Sequence, residues 1–132
     1  ARAAKVAVKS RMDALEVWMS ILPTTDDQRE EWRVWLAFSG RAAFSKLIAE
    51  EVRRRYEQGH EDTLLLLRTL QGYGQLGRDI DMGLAAEGVV ALMDGLGLRA
   101  TVEPDLWPPE RQRGHIERHL RLLGWRPRGS DA

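Results

Sequence analysis

The stretch that most narrows the choice of fold is Gly83-Leu-Ala-Ala-Glu-Gly-Val-Val-Ala-Leu-Met-Asp-Gly-Leu-Gly-Leu-Arg-Ala100. It is apolar nearly all round, interrupted by Glu87 and Asp94, and shows no two-residue alternation, so it reads as a helix covered on more than one side. Along one face small residues recur at Leu84, Gly88, Ala91 and Gly95. Glycine inside a helix costs up to about 1 kcal/mol relative to alanine. A chain tolerates that cost where another backbone must come close. A helix smooth on one side and greasy on both suits contact with a symmetric copy of itself. After a break marked by Pro104, Pro108-Pro109-Glu-Arg-Gln-Arg113 opens a second amphipathic helix. Its prolines fall in the first turn, where a missing amide N–H costs little. Ile116, Leu120 and Leu123 form its apolar strip, and they are the expected partners of the small-residue face.

The rest of the chain repeats the helical period. Residues 1–9 read as the end of a helix that begins upstream, and Ser10-x-x-Asp13 as a capping start for a helix carrying Met12, Leu15, Trp18 or Met19, and Leu22. Pro23 stops it. Thr25-Asp-Asp-Gln28 is a capping box with acids in the first turn, and it opens a helix with Trp32, Val34, Trp35, Leu36 and Phe38. A short helix near Phe44 to Glu50 is expected to lead into a long one from about Val52 to Gly74. The inner stripe of that long helix is Tyr56, His60, Thr63, Leu67, Leu70 and Gly74. Asp79 or Asp81 caps the Gly83–Ala100 helix, and Trp125 and Pro127 end the last one. No repeat or long linker divides the chain. The expectation is one all-α bundle over residues 1–132.

Composition removes several classes of function. Lys+Arg and Asp+Glu stand at 20 each, giving zero net charge, whereas a free-standing nucleic-acid binder carries a basic excess or a basic face. The Arg53–Arg55 run and the arginines from 111 to 128 are interleaved with acids or apolar residues and read as solvated faces. With no cysteine, neither a disulfide nor a thiolate metal site can form. No run approaches the roughly 18 apolar residues of a membrane span, and no secretion signal is read at the N-terminus. The missing initial Met suggests a fragment or a processed chain.

Ala91-Leu-Met-Asp-Gly-Leu96 and Pro108-Pro-Glu-Arg111, with Glu31-Trp-Arg-Val-Trp-Leu-Ala-Phe38 and Asp79-x-Asp81, closely resemble the C-terminal domain of TetR-family transcriptional regulators, in particular the BetI-like subgroup. That resemblance implies the effector-binding and dimerisation half of a bacterial, cytoplasmic transcriptional repressor. The implied partners are a second copy, a small hydrophobic or amphipathic effector, and operator DNA. DNA would be reached only through an N-terminal helix-turn-helix domain, and nothing in this sequence reads as one. The dimer would form through Leu84, Gly88, Ala91 and Gly95 against Ile116, Leu120 and Leu123. The effector would lie inside the bundle near Trp35, Phe38, Tyr56, His60, Leu64, Leu67 and Met93, an aromatic wall with a few polar handles.

Two patterns invite a metal. Glu57-Gln-Gly-His60 has the Glu-x-x-His spacing that di-iron bundles use twice, but it occurs once here, with Gly59 inside it. His115-Ile-Glu-Arg-His119 places two histidines at i, i+4, with its glutamate one position away from the metalloprotease pattern. A carboxylate- and histidine-bound metal bundle enzyme is therefore one alternative, and a pure dimerisation module with a solid core is another. With no phosphate loop and no nucleophile–base system, the main reading has no catalytic residue, no metal and no cofactor.

Overall fold

Capping chemistry sets the helix starts in the computed structural model, which describes residues 14–126. The Ser10–Asp13 start, residues 1–9 and Pro127 lie outside that range. α1 spans Ala14–Met19, and Leu22 and Pro23 behind it are buried. Thr25 caps α2 (Asp26–Arg41), its hydroxyl accepting the Gln28 amide N–H at 3.2 Å. The reciprocal half of the box goes one residue further back, with Gln28 Oε1 accepting from the Thr24 backbone N–H at 3.2 Å and from its hydroxyl at 2.6 Å. Ser45 caps α3 (Lys46–Gly72), and Asp81, not Asp79, caps α4 (Met82–Val102) by accepting the Leu84 N–H at 3.1 Å. α5 (Pro109–Leu122) begins with proline in its first turn. α3 is continuous where two helices were expected, because the expected break, Glu50-Glu51-Val52, contains no proline, no glycine and no capping residue to interrupt it.

The core gathers where these helices meet. Trp18 of α1, Leu66, Leu67 and Leu70 of α3, Ala86, Val89 and Leu96 of α4, Ile116 and Leu120 of α5, and Trp125 all lie in one buried cluster. Gly74 and Gly124 take left-handed backbone, with φ of 73° and 82°, so that the chain can turn sharply after α3 and α5. The two turns are tied together: the Gly77 N–H donates to the Leu123 carbonyl at 3.4 Å and the Arg126 N–H to the Gln75 carbonyl at 3.0 Å. At the other end the buried Gln112 side chain donates to the Pro23 carbonyl at 3.2 Å and the Trp107 carbonyl at 2.9 Å, fixing the end of α1 to α5. An Arg113–Glu16 ion pair joins the same two helices.

α2 is different. None of its sixteen residues is fully buried, although it carries Trp32, Trp35 and Phe38. It rests on α3 and α4 by its aromatic side and leaves space beneath. Only the C-terminal half of α3 is locked into the core. Its N-terminal half, with Val52 as its sole buried side chain, pairs with α2 as an outer hairpin. The cavity lies under that hairpin.

Candidate functional site

Four helices enclose a cavity of about 380 Å³, within the roughly 300–1,000 Å³ range of small-molecule sites. α1 and the residues after it contribute Val17, Trp18 and Ile21; α2 contributes Trp32 and Trp35; α3 contributes Arg55, Tyr56, Gly59, Asp62, Thr63 and Leu66; α4 contributes Val90, Met93 and Asp94. A second cleft, between α1, the start of α2 and α5, is lined by Glu16, Met19, Ser20, Thr24, Gln28, Pro109, Glu110 and Arg113 and has no aromatic wall.

The apolar walls are held in place individually. Trp32 donates its indole N–H to the Ile21 carbonyl at 2.8 Å, joining α2 to the end of α1. Its ring lies flat over Gly97 of α4, where an added Cβ would sit 2.0 Å from the ring. Trp35 meets Tyr56 edge-on, with ring centroids 5.8 Å apart, and Phe38 at 6.4 Å. The Arg55 guanidinium stacks over both Trp35 (5.8 Å) and Phe38 (5.2 Å), and its Nε is 3.3 Å from Glu51.

Asp94 is the polar feature of the floor. Burial raises its carboxyl pKa above the usual value of 3.8, and the hydrogen bond received from Tyr56 only partly opposes this. The same desolvation, then Asp94 itself, pushes the Tyr56 hydroxyl up to about 12. A carboxylate with a folded-state pKa above its unfolded value binds more protons when folded. Its ionised form therefore costs stability at every pH above that window, neutral pH included.

Of the pocket residues expected from the sequence, Trp35, Tyr56 and Met93 line the cavity, and Phe38, His60, Leu64 and Leu67 do not. Leu67 is fully buried core and Leu64 packs against that core. Phe38 sits under Arg55, outside the wall. His60 is half-buried to one side, because the face of α3 turned to the cavity runs Tyr56, Gly59, Thr63, Leu66, one residue earlier than the stripe expected from His60 and Leu67. Trp18, Trp32, Asp62 and Asp94 were missed. The paired glycines Gly95 and Gly97 did carry a signal: two residues apart they point about 200° apart, so they cannot serve one face.

The expected dimer residues also divide. Ile116 and Leu120 are 2% and 1% exposed, and Leu123 packs against the core, so the apolar strip of α5 is taken up by the protomer's own interior. Amphipathic surface helices turn that stripe inward, and α5 follows the rule. Gly88 makes room for the His119 ring of the same chain, 3.6 Å from where a Cβ would be. Leu84, Ala91 and Gly95 stand exposed on α4, joined by Leu98 and Val102. The metal patterns dissolve into other contacts. Glu57 pairs with Arg53 at 3.1 Å, His115 lies 5.5 Å from Trp107, and His119 turns to Gly88. Among the described residues no group of three or more acidic or histidine side chains is placed to hold a metal. No described helix is long and apolar enough to cross a membrane.

Comparison with known proteins agrees with this architecture. The family described as the BetI-type transcriptional repressor, C-terminal, matches residues 10–124, and the chain belongs to that TetR-type family. It is 26% identical over 113 residues to the HTH-type transcriptional regulator PksA of Bacillus subtilis (strain 168), covering 83% of this chain and 52% of that protein. It thus spans about half the length of that curated relative. A transcriptional regulator from Rhodococcus sp. Rha1 superposes with a TM-score of 0.73 at 25% identity, over 98% of this chain and 78% of that one.

Proposed function

We propose that this chain is the effector-binding and dimerising part of a TetR-family transcriptional regulator, and that the effector is a small, largely apolar molecule. The observation that carries this reading is the cavity under α2. It has three tryptophan walls and a polar floor, and α1 forms part of its lining. A module built only to dimerise has no use for a void whose closure would add packing contacts. α1 lies on the amino-terminal side of the bundle, where a DNA-reading part would join. A ligand touching Val17, Trp18 and Ile21 favours one placement of α1, and through it one spacing of two such heads in a dimer. With no net charge, this part contributes little to phosphate contacts.

The dimer face we assign is the exposed stripe of α4, Leu84, Ala91, Gly95, Leu98 and Val102. Three of its members, Leu84, Leu98 and Val102, are 66%, 46% and 67% exposed in the protomer. With Gly88 the stripe repeats every three or four residues over the whole helix, which is the spacing of a helix-to-helix seam.

The effector reading is tested by following tryptophan emission and melting temperature against a panel of apolar small molecules. Compounds that bind the folded state raise the melting temperature. Replacing Trp35 with alanine removes one wall and is expected to weaken those compounds about tenfold or more, the effect of one lost large contact. The dimer should stay intact, because Trp35 is on a different helix from the seam. Equal affinity for the variant would place the site elsewhere, and a silent panel would favour a dimerisation module without an effector.

A further inference from the structure

We propose that the effector is an amphipathic cation, a protonated amine that donates its N–H to the Asp94 carboxylate while its apolar body lies against Trp18, Trp32 and Met93. The inference rests on the effector reading of the same cavity and names the chemistry the cavity selects.

Charge comes first. The cavity is lined by two carboxylates, Asp62 and Asp94, and one cation, Arg55. Arg55 is already engaged: its guanidinium covers the Trp35 and Phe38 rings and its Nε is paired with Glu51. Asp94 is half-buried beside the Tyr56 hydroxyl, which favours its ionised form, and among the described residues no basic side chain contributes to its electrostatics. A carboxylate left in an apolar cavity without a cation is costly, and a buried charge gains most from an ionic partner that also hydrogen-bonds. Among the described residues α1 and α2 bring Val17, Trp18, Ile21, Trp32 and Trp35 to the cavity, none of which carries a charge to neutralise it.

Geometry then selects the kind of cation. The face of Trp35, the ring that would attract a quaternary ammonium, is occupied by Arg55, and one face of Trp32 is closed by Gly97. The free recognition group is the carboxylate, which takes hydrogen-bond donors. An ammonium bearing N–H bonds satisfies it, and a fully methylated one cannot.

Four probes with one apolar body separate the possibilities: 4-phenylbutylamine, 4-phenylbutyltrimethylammonium, 4-phenylbutan-1-ol and 5-phenylpentanoate. Their affinities for the chain are measured by calorimetry and tryptophan emission. The amine should bind about ten- to a hundredfold tighter than the alcohol, the range expected of a hydrogen bond to a charged group. The trimethylammonium compound should fall between them and the carboxylate should bind worst. Asp94→Asn should bring the amine down to about the alcohol's affinity and weaken the alcohol far less, since its O–H can donate to the asparagine amide oxygen as it did to the carboxylate. It should also melt higher than the parent at neutral pH, since it removes a charge that folding desolvates. Equal binding of amine and alcohol, tighter binding of the trimethylammonium or carboxylate probe, or an amine affinity indifferent to Asp94→Asn would overturn the proposal while leaving the effector reading in place. If none of the four binds, the effector reading falls and this proposal with it.

Discussion

Replacing Gly97 with alanine should destabilise the protein and open one wall of its cavity, although glycine-to-alanine within a helix ordinarily stabilises. Helix propensity favours alanine by up to about 1 kcal/mol. Here the new Cβ would fall 2.0 Å from Cη2 of Trp32 and 2.1 Å from Cζ3, so the indole has to leave. Its departure breaks the 2.8 Å hydrogen bond to the Ile21 carbonyl and uncouples α2 from the end of α1. Overpacking of this kind costs about 1–3 kcal/mol, enough to reverse the sign of the propensity gain. Gly59→Ala is the matched control, since Gly59 lies within α3 with no neighbour inside 4 Å and should be neutral or stabilising. Urea unfolding followed by tryptophan emission should show a lower midpoint for Gly97→Ala, and a red-shifted native spectrum as Trp32 becomes wetter. A midpoint equal to or above the parent's would mean that Trp32 is not wedged against α4.

The second large effect is expected at Gly95, two residues away and on the opposite side. Nothing approaches within 4 Å of a Cβ placed there, so the protomer itself accommodates a long side chain. In the proposed dimer the same position lies in the middle of the α4 seam. Gly95→Arg would bury an unpaired charge there, a change that costs about 3–5 kcal/mol, or more than a hundredfold in dimer affinity. Light scattering should report a folded monomer at concentrations where the parent is a dimer, with helical content unchanged. A folded dimer would remove the α4 stripe as the interface.

These two glycines show how far the sequence could be read. Helix boundaries followed from local chemistry, as Thr25, Asp81 and Pro109 mark helix starts by what their own atoms can bond. The all-α architecture followed from apolar spacing, which needs no knowledge of neighbours. The cavity was only partly legible. Tyr56 and Met93 lie on inner faces that periodicity identifies, but a one-residue difference in register moves His60 and Leu67 out of the lining and Gly59 and Leu66 into it. Asp94 read simply as a charge interrupting an apolar helix. Its importance comes from Tyr56, on a helix nearly forty residues earlier, and from the three tryptophans around the same space. The α5 strip misled for a different reason. Periodicity finds the apolar face of a helix but cannot say whether that face meets its own core or a partner. Ile116 and Leu120 meet their own core.

The central claim is that a small molecule occupies the space under α2 and that α1 feels it. Hydrogen–deuterium exchange on the protein, with and without a compound that raises the melting temperature, tests this most directly. Slower exchange is expected together in four places: residues 17–21 at the end of α1, 32–36 in α2, 55–66 in α3 and 90–94 in α4. The seam residues 98–102 should change little. Protection confined to α5, or protection in α2 and α3 with residues 17–21 unaffected, would contradict the account.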